Sequence, residues 1–260
     1  MYLDWVRAAL ENDDSFAAFR QLPGIKRTID GVKPPQGSLY RKIALEQTPR
    51  LVDHLDKFKE SDTVGSPETA LYPEGPMSPT TWRYIKVLSD LQTLFGSLDG
   101  WHVVEIGAGY GGQCKIINDV HHVGSYTIYD LEPVSRLARK YLESLGSPVV
   151  DRLTCPDFRR LGEDDLETYD LVISNWALSE CIKEIQDRYI ECVLRRSKRG
   201  YITYNQISRL FDVDSYRANE LVDRLGFPVE IKHEELSNGT YPEPWQSFLL
   251  HWRSQPHFAD

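Results

Sequence analysis

The sequence predicts an α/β protein with a seven-stranded, mostly parallel sheet and a helical N-terminal extension. Beyond residue 100, segments of strand character alternate with segments of helical character, which is typical of a parallel sheet with helices on both faces. The last two strand candidates have no strong helix between them, so we expect them to form an antiparallel hairpin. A glycine-rich turn follows the first strand and opens a helix, which places a ligand at the carboxyl ends of the strands.

The strand candidates are short apolar or β-branched runs bounded by turn residues. They are WHVVEI (101–106), YTIYD (126–130), DRLTC (151–155), YDLVIS (169–174), GYITYN (200–205), PVEIKH (228–233) and SFLLHWR (247–253).

Residues 1–78 are predicted to form the helical extension. Apolar residues recur at helical spacing, interrupted by the turn-forming stretches QLPG and VKPPQGS, and a second helix is expected to start at Thr48. The segment 61–79 is rich in Gly, Pro and Ser and is interpreted as a lid-like loop. Ser78 can cap a helix that starts at Pro79, so we place the α/β domain at residues 79–260.

Composition excludes several classes of protein. The 260 residues are 41% hydrophobic and 27% charged, as in a globular chain, and the formal net charge of −9 disfavours nucleic acid and anionic membranes as partners. No apolar stretch approaches the roughly 20 residues that cross a bilayer, and no N-terminal leader is evident. We therefore expect a cytoplasmic protein, and a homo-oligomer is left open.

The turn in VVEIGAGYGGQ is the most informative motif. Gly107 and Gly109 allow a tight turn and close approach of a ligand, and together with Gly112 they also match the GxGxxG pattern of dinucleotide-binding proteins. Glu105 discriminates between a dinucleotide and S-adenosylmethionine as the ligand of this turn. A carboxylate is unfavourable beside a pyrophosphate, whereas it attracts the ammonium and sulfonium of S-adenosylmethionine. With Asp130 at the end of the second strand, the pattern favours S-adenosylmethionine.

Several motifs in one order indicate a family. SPTTWRYIKVLSDL, VVEIGAGYGGQCKII, YTIYDLEPVSRLARKYL, SNWALSECIKEIQDRYI and RGYITYN occur over residues 62–206. In these motifs the chain resembles the sugar O-methyltransferases of bacterial polysaccharide and glycosylated-natural-product clusters. The resemblance implies the Rossmann-like class I methyltransferase fold, S-adenosylmethionine as cofactor, a small-molecule or glycan acceptor, and methylation of a deoxysugar or hexose hydroxyl. From Ser208 onward the match is loose, and this part usually shapes acceptor recognition.

The expected cofactor-binding residues have separate roles. Asp130 can accept both ribose hydroxyls and Leu131 can pack on adenine, although Asp130 could instead cap a helix. Asp157 and Phe158 are placed to contact adenine, with a turn acid and a core aromatic as the alternative. The full set is Arg83, Tyr84, Glu105, Gly107, Gly109, Gln113, Asp130, Leu131, Asp157, Phe158 and Asn175.

Arg83 and Tyr84 precede the first strand on a helix. They can close over the methionine carboxylate of the cofactor, and the alternative is a salt-bridged helix surface.

Methylation of a hydroxyl needs a base near the acceptor. Glu180, one short loop after the fourth strand, is the first candidate, and His233 after the sixth strand is the second; each could instead be a solvated surface residue. No metal-binding motif is recognised, and the run Glu163-Asp164-Asp165 is interpreted as a solvated helix start.

Three other functions remain open. They are a methyltransferase acting on a phenol, carboxylate or polyketide hydroxyl, a nicotinamide-dependent oxidoreductase on a nucleotide sugar, and a catalytically inactive binding module.

Overall fold

The protein is described by a computed structural model over residues 2–162, 167–236 and 245–253. The chain forms two compact units. The helical unit comprises Met1–Asp99, Ala108–Val123 and Leu131–Leu153, and the sheet unit comprises Gly100–Gly107, Gly124–Asp130 and Thr154–Asp260.

The helical unit contains eight helices and a small hairpin among its described residues. They are α1 (Tyr2–Glu11), α2 (Asp13–Ala17), α3 (Pro23–Thr28), α4 (Pro34–Gln47), α5 (Leu55–Glu60), β1 (Ala70–Tyr72), β2 (Gly75–Met77), α6 (Pro79–Phe95), α7 (Gly112–Asn118) and α8 (Glu132–Ser144).

The predicted helical extension is present, and its helices are interrupted at both predicted stretches, at Leu22 and at residues 29–33. QLPG and VKPPQGS contain the starts of α3 and α4, because Pro23 and Pro34 occupy the first helical position. Proline is favoured there, since its missing N–H would have no helical partner in any case. The helix expected from Thr48 is instead a 3₁₀ turn, Pro49–His54, that leads into α5.

The capping prediction for α6 is confirmed. Ser78 Oγ accepts a hydrogen bond from the Thr80 N–H at 3.2 Å, and Pro79 is the first helical residue. The preceding segment 61–79 contains the hairpin β1–β2, which the sequence did not predict, because its strands span three residues each. Asp62 holds the ends of this segment together: its carboxylate accepts from the Ser78 N–H at 2.6 Å and from Thr81 Oγ1 at 2.7 Å.

Over the described residues, the main sheet has seven strands. They are β3 (His102–Ile106), β4 (Ser125–Tyr129), β5 (Leu153–Thr154), β6 (Tyr169–Asn175), β7 (Ser197–Asn205), β8 (Glu230–His233) and β9 (Ser247–Trp252), in the order β5-β4-β3-β6-β7-β9-β8. The pairs β3–β4, β3–β6 and β6–β7 are parallel, whereas β9 runs antiparallel to β7 and to β8. The predicted parallel sheet and its antiparallel C-terminal hairpin are therefore confirmed.

Two helices of the sheet unit, α9 (Lys183–Cys192) and α10 (Ala218–Leu225), cover one face of the sheet. Val104 and Ile106 of β3 belong to the same buried cluster as Ile190 of α9 and Leu221 of α10. Alternate residues of a strand point to opposite faces, so Glu105 lies on the other face of β3. Over the described part of the chain, no helix has both the length and the apolar character needed to cross a membrane.

Candidate functional site

The carboxyl ends of β3, β4 and β6 form one edge of the sheet unit. The three strands are parallel and adjacent, with Ile106 opposite Tyr129 and also opposite Ser174. The residues that follow them, Gly107 and Asp130, and Asn175 at the end of β6, therefore share this edge. Ligands of open α/β sheets bind at such edges.

Gly107 begins the turn after β3. Its φ is +74°, and a methyl group built on it would lie 2.0 Å from the Cβ of Ala177. Its N–H donates to the carbonyl of Tyr129 at 2.8 Å, which ties the turn to the end of β4. Only glycine fits here, because of the left-handed backbone and because the turn after β6 packs against it.

Glu105 is buried, with 2% of its surface exposed. Tyr126 Oη donates a hydrogen bond of 2.7 Å to its Oε2. The sequence predicts that the Glu105 carboxylate attracts a cationic ligand. The structure shows in addition that the Tyr126 hydroxyl stabilises this carboxylate inside the sheet unit.

Asp130 and Glu180 both act electrostatically on Cys181. Burial raises the pKa of the Cys181 thiol to about 12, and the charges of Glu180 and Asp130 contribute. The thiol is therefore protonated at neutral pH. The two carboxylates follow the parallel strands β4 and β6, so they lie at the same edge of the sheet unit. The residue Glu180 as a whole is exposed to solvent. The surrounding protein nevertheless desolvates its carboxyl group, and this raises the pKa of Glu180 above the usual value.

Asn175 is the last residue of β6, and Trp176 begins the turn that follows it. Asn175 Oδ1 accepts from Thr203 Oγ1 at 3.4 Å, whereas its Nδ2 is buried and has no hydrogen-bond partner among the described residues. Trp176 has a φ of +62°, a conformation that is costly for a bulky side chain. Ser179 Oγ donates to its carbonyl at 2.5 Å and stabilises the turn. Strained backbone of this kind is concentrated at functional sites, and the sequence carries no signal for it.

Asp157 and Phe158 follow β5 in a short 3₁₀ turn. Asp157 accepts from the Arg159 N–H at 2.9 Å and forms an ion pair of 2.7 Å with its side chain, which holds the pKa of Asp157 below its usual value. The Phe158 ring packs on Tyr189 with centroids 5.2 Å apart. These contacts match the alternative of a turn acid with a core aromatic, and adenine binding stays a prediction.

His233 lies at the end of β8, the edge strand of the sheet, and is exposed. Its ring is 5.1 Å from that of Phe248. The register pairs Asn175 with Thr203, Thr203 with Leu249 and Leu249 with Lys232. Three strand spacings, about 14 Å, therefore separate the end of β6 from the residue before His233. The sheet does not bring His233 and Asn175 together.

In the helical unit, the helix-opening part of the glycine turn packs against α6. A methyl group on Gly112 would lie 2.3 Å from the ring of Tyr84, and Gln113 Nε2 donates to the Tyr84 carbonyl at 3.2 Å. The Arg83 guanidinium lies 5.0 Å from the centroid of the Tyr84 ring. Tyr84 and Gln113 are both buried, so they shape this part of the turn.

Leu131 occupies the N-cap position of α8 and has half of its surface exposed, 50%. Asp130 therefore precedes the cap rather than forming it. Within the described ranges, no group of three or more His, Cys, Asp or Glu side chains could hold a metal ion. Glu163, Asp164 and Asp165 lie outside the residues that the structure describes.

Comparisons with known proteins give structural likeness only. No family model and no curated protein matches the sequence. A putative sarcosine dimethylglycine methyltransferase from Galdieria sulphuraria superposes with a TM-score of 0.51 at 14% identity, over 67% of this chain and 87% of that one. A precorrin-6y C5,15-methyltransferase from Geobacter metallireducens superposes with a TM-score of 0.45 at 18% identity, over 65% of this chain and 88% of that one. An O-methyltransferase family protein from Burkholderia thailandensis superposes with a TM-score of 0.45 at 12% identity, over 85% of this chain and 72% of that one.

The fold is the Rossmann-like fold of class I methyltransferases. The strand order supports this conclusion, because β9 is inserted antiparallel between β7 and β8. In the dinucleotide-binding Rossmann fold, the sixth strand instead follows directly beside the fifth.

Proposed function

We propose that this protein is an S-adenosylmethionine-dependent O-methyltransferase whose acceptor is a sugar hydroxyl. The observation that carries the cofactor part is the edge of the sheet unit where Gly107, Asp130 and Asn175 meet, with the buried Asn175 Nδ2 left without a partner among the described residues. An amide donor at this position is costly to bury unless a ligand accepts from it.

The residues of this edge fit the proposed cofactor. Asp130 is the bidentate acceptor for the two ribose hydroxyls, and Asn175 Nδ2 donates to an acceptor atom of the ligand. Leu131, half exposed next to Asp130, supplies apolar surface for adenine. Arg83 belongs to the helical unit, and its assignment to the methionine carboxylate stays a prediction from the sequence. When bound, the cofactor supplies an electrophilic methyl group on a sulfonium.

Glu180 is the proposed general base. A raised pKa brings a carboxylate closer to the working pH of a base, and burial around its carboxyl raises the pKa of Glu180. Glu180 lies in the turn after β6 and Asp130 follows β4, so both lie at the same edge of the sheet unit. Positioning of the acceptor oxygen supplies much of the remaining rate.

An exposed apolar turn lies beside the segment that carries Glu180. Ser208 Oγ donates to the carbonyl of Ser179 at 2.7 Å, and so ties the turn after β7 to that segment. On this turn Leu210 and Phe211 are 50% and 75% exposed. Exposed apolar side chains next to polar groups are typical of ligand sites. A sugar ring has an apolar face of C–H groups that can pack here while a hydroxyl reaches Glu180.

Calorimetric titration tests the cofactor part. We expect binding of S-adenosylmethionine and S-adenosylhomocysteine, with no binding of NAD. Binding of NAD together with no response to either sulfur ligand would overturn the proposal in favour of an oxidoreductase.

A panel of acceptors tests the substrate part. Nucleotide sugars, free deoxysugars and hexoses, phenols and carboxylates are incubated with the enzyme and labelled cofactor, and products are identified by mass. We expect transfer to a sugar hydroxyl and loss of that transfer in Phe211→Ala. Methylation of phenols or carboxylates alone would leave a methyltransferase with a non-sugar acceptor. Failure to bind either sulfur ligand, with no transfer to any acceptor, would indicate a binding module.

A further inference from the structure

The short segment 28–31, between α3 and α4, lies on the glycine turn within the helical unit. A methyl group built on Gly109 would lie 2.9 Å from Cδ1 of Ile29, with two more Ile29 atoms within 3.4 Å. Gly109 has a φ of +56°. Glycine at 109 therefore serves two needs, a left-handed turn and the close approach of Ile29.

A buried ion pair holds this segment in place. The Asp30 carboxylate accepts from Arg20 Nε at 3.1 Å and from Arg20 Nη2 at 3.0 Å, and Tyr110 Oη donates to it at 3.2 Å. Tyr110 follows Gly109 in the chain, so Asp30 bonds to the turn that Ile29 covers. Bidentate pairs between Arg and a carboxylate combine strength with fixed geometry.

Arg20 is itself anchored and almost fully buried, at 1% exposure. Its Nη1 donates to the Ser61 carbonyl and to the Asp62 carboxylate, each at 3.0 Å. Burial of the guanidinium lowers its pKa, but Tyr110, Asp30 and Asp62 outweigh this and raise it well above the usual value. The Arg20 guanidinium is therefore protonated at neutral pH, and its two hydrogen bonds to the Asp30 carboxylate hold the segment.

A second contact holds the other side of the segment. Arg83 Nη2 donates to the carbonyl of Ile29 at 3.3 Å. Arg83 also lies against the ring of Tyr84, and Tyr84 packs on Gly112 at the start of α7. The segment 28–31 is thus tied both to the glycine turn and to the helix that follows it.

We propose that the segment 28–31 covers the glycine turn as part of the cofactor site, with Ile29 lining the methionine end of S-adenosylmethionine and Asp30 acting as a positioning residue. This inference rests on the proposed function, since it concerns the ligand of the same turn. A cover held by fixed charged hydrogen bonds is preorganised, so little ordering is needed when the ligand binds. Asp30 acts through Ile29, because the Arg20 and Tyr110 bonds satisfy its carboxylate.

Two substitutions test the inference. Ile29→Ala removes the covering side chain, and Asp30→Asn keeps the shape but loses the charge that pairs with Arg20. We expect each to weaken S-adenosylhomocysteine by about ten- to a hundredfold in calorimetry, mainly through faster dissociation. Val6→Ala on α1 is the control: this buried position lies in the same unit and makes none of these contacts. It should lower the melting temperature and leave the affinity within about twofold.

Hydrogen exchange gives a second readout. In the wild type, the backbone amides of residues 28–31 should exchange more slowly when S-adenosylhomocysteine is bound, and those around Val6 should not change. If Asp30→Asn does not fold, the affinity of Ile29→Ala for S-adenosylhomocysteine decides the test.

The outcomes separate the two proposals. Wild-type binding with unchanged affinity in Ile29→Ala and unchanged exchange of 28–31 would overturn this inference and leave the proposed function intact. A wild type that binds neither sulfur ligand would overturn both.

Discussion

Tyr126 Oη donates a 2.7 Å hydrogen bond to Glu105 Oε2 inside the sheet unit, between residues of adjacent parallel strands. Glu105 is 2% exposed, so its carboxylate depends on protein donors for stabilisation. This bond links the acidic residue of the glycine motif to the neighbouring strand.

Removal of that hydroxyl should destabilise the protein. Tyr126→Phe keeps the buried ring but takes a donor from a buried carboxylate, so we expect a loss of about 1–3 kcal/mol in the free energy of unfolding. Urea denaturation followed by circular dichroism measures it. Tyr72→Phe is the matched control, because the buried Tyr72 hydroxyl has no hydrogen-bond partner among the described residues. Equal stability of Tyr126→Phe and wild type would show that the bond contributes nothing.

The ribose prediction concerns Asp130. Asp130→Ala should weaken S-adenosylmethionine by about 2–4 kcal/mol, through the loss of two charge-assisted hydrogen bonds. Asp170→Ala is the control, because Asp170 lies near the opposite end of β6 and pairs with Lys198 at 3.0 Å. Calorimetry measures the affinity of each variant for S-adenosylmethionine. Equal affinities for wild type and Asp130→Ala would mean that the ribose is held elsewhere.

The base prediction concerns Glu180. Glu180→Gln should lower turnover by roughly 10²–10⁴ fold and leave cofactor affinity nearly unchanged, because the amide cannot take the proton of the hydroxyl. A base must be deprotonated to act, so the wild-type rate should rise with pH through the raised pKa of Glu180. Glu180→Gln should lose that rise.

Two further variants accompany this measurement. Glu184→Gln changes an exposed acid on the next helix and should have normal turnover. His233→Asn tests the second candidate base on the edge strand. Loss of the pH-dependent rise in His233→Asn, with normal kinetics in Glu180→Gln, would transfer the role to His233.

Stability should depend on pH through His121, which is buried in the loop between α7 and β4. Its Nδ1 accepts from the Leu98 N–H at 3.4 Å, and its Nε2 lies 3.0 Å from the Gln92 amide. Burial lowers the pKa of His121, and Asp99 offsets this only partly.

The sign of the effect follows from the lowered pKa. Below the unfolded value of about 6.5 the unfolded chain binds a proton that the folded protein resists, so stability is lost as the pH falls through that value. The melting temperature should therefore fall as the pH is lowered from about 7 to the lowered pKa of His121. His121→Gln should flatten this dependence, whereas His122→Gln, at the exposed neighbour, should not. Parallel curves for His121→Gln and wild type would exclude His121 as the cause.

Much of the fold was predictable from local patterns. Strand segments such as 169–174 and 200–205 consist of apolar and β-branched residues, and the structure has strands at Tyr169–Asn175 and Ser197–Asn205. The closing antiparallel pair followed from the lack of a helix between the last two strands. These patterns are local, so a single sequence carries them.

The extension was harder to predict. Proline and glycine clusters indicate a break in a helix, but they do not distinguish a loop from the first turn of a new helix. Pro23 and Pro34 are cases of the second kind, because proline is favoured at the first helical position.

The sequence alone determined the alternation of strands and helices, the glycine turn after the first strand, and the acids expected at the strand ends. Only the tertiary structure decided the neighbours of each group: Tyr126 beside Glu105, Ile29 over Gly109, and Asp30 paired with Arg20. The contacts of Ile29 and Arg20 join residues far apart in the chain. Spacing reports which residues share a face of one element, whereas such contacts depend on how different elements pack, and no local pattern encodes that packing.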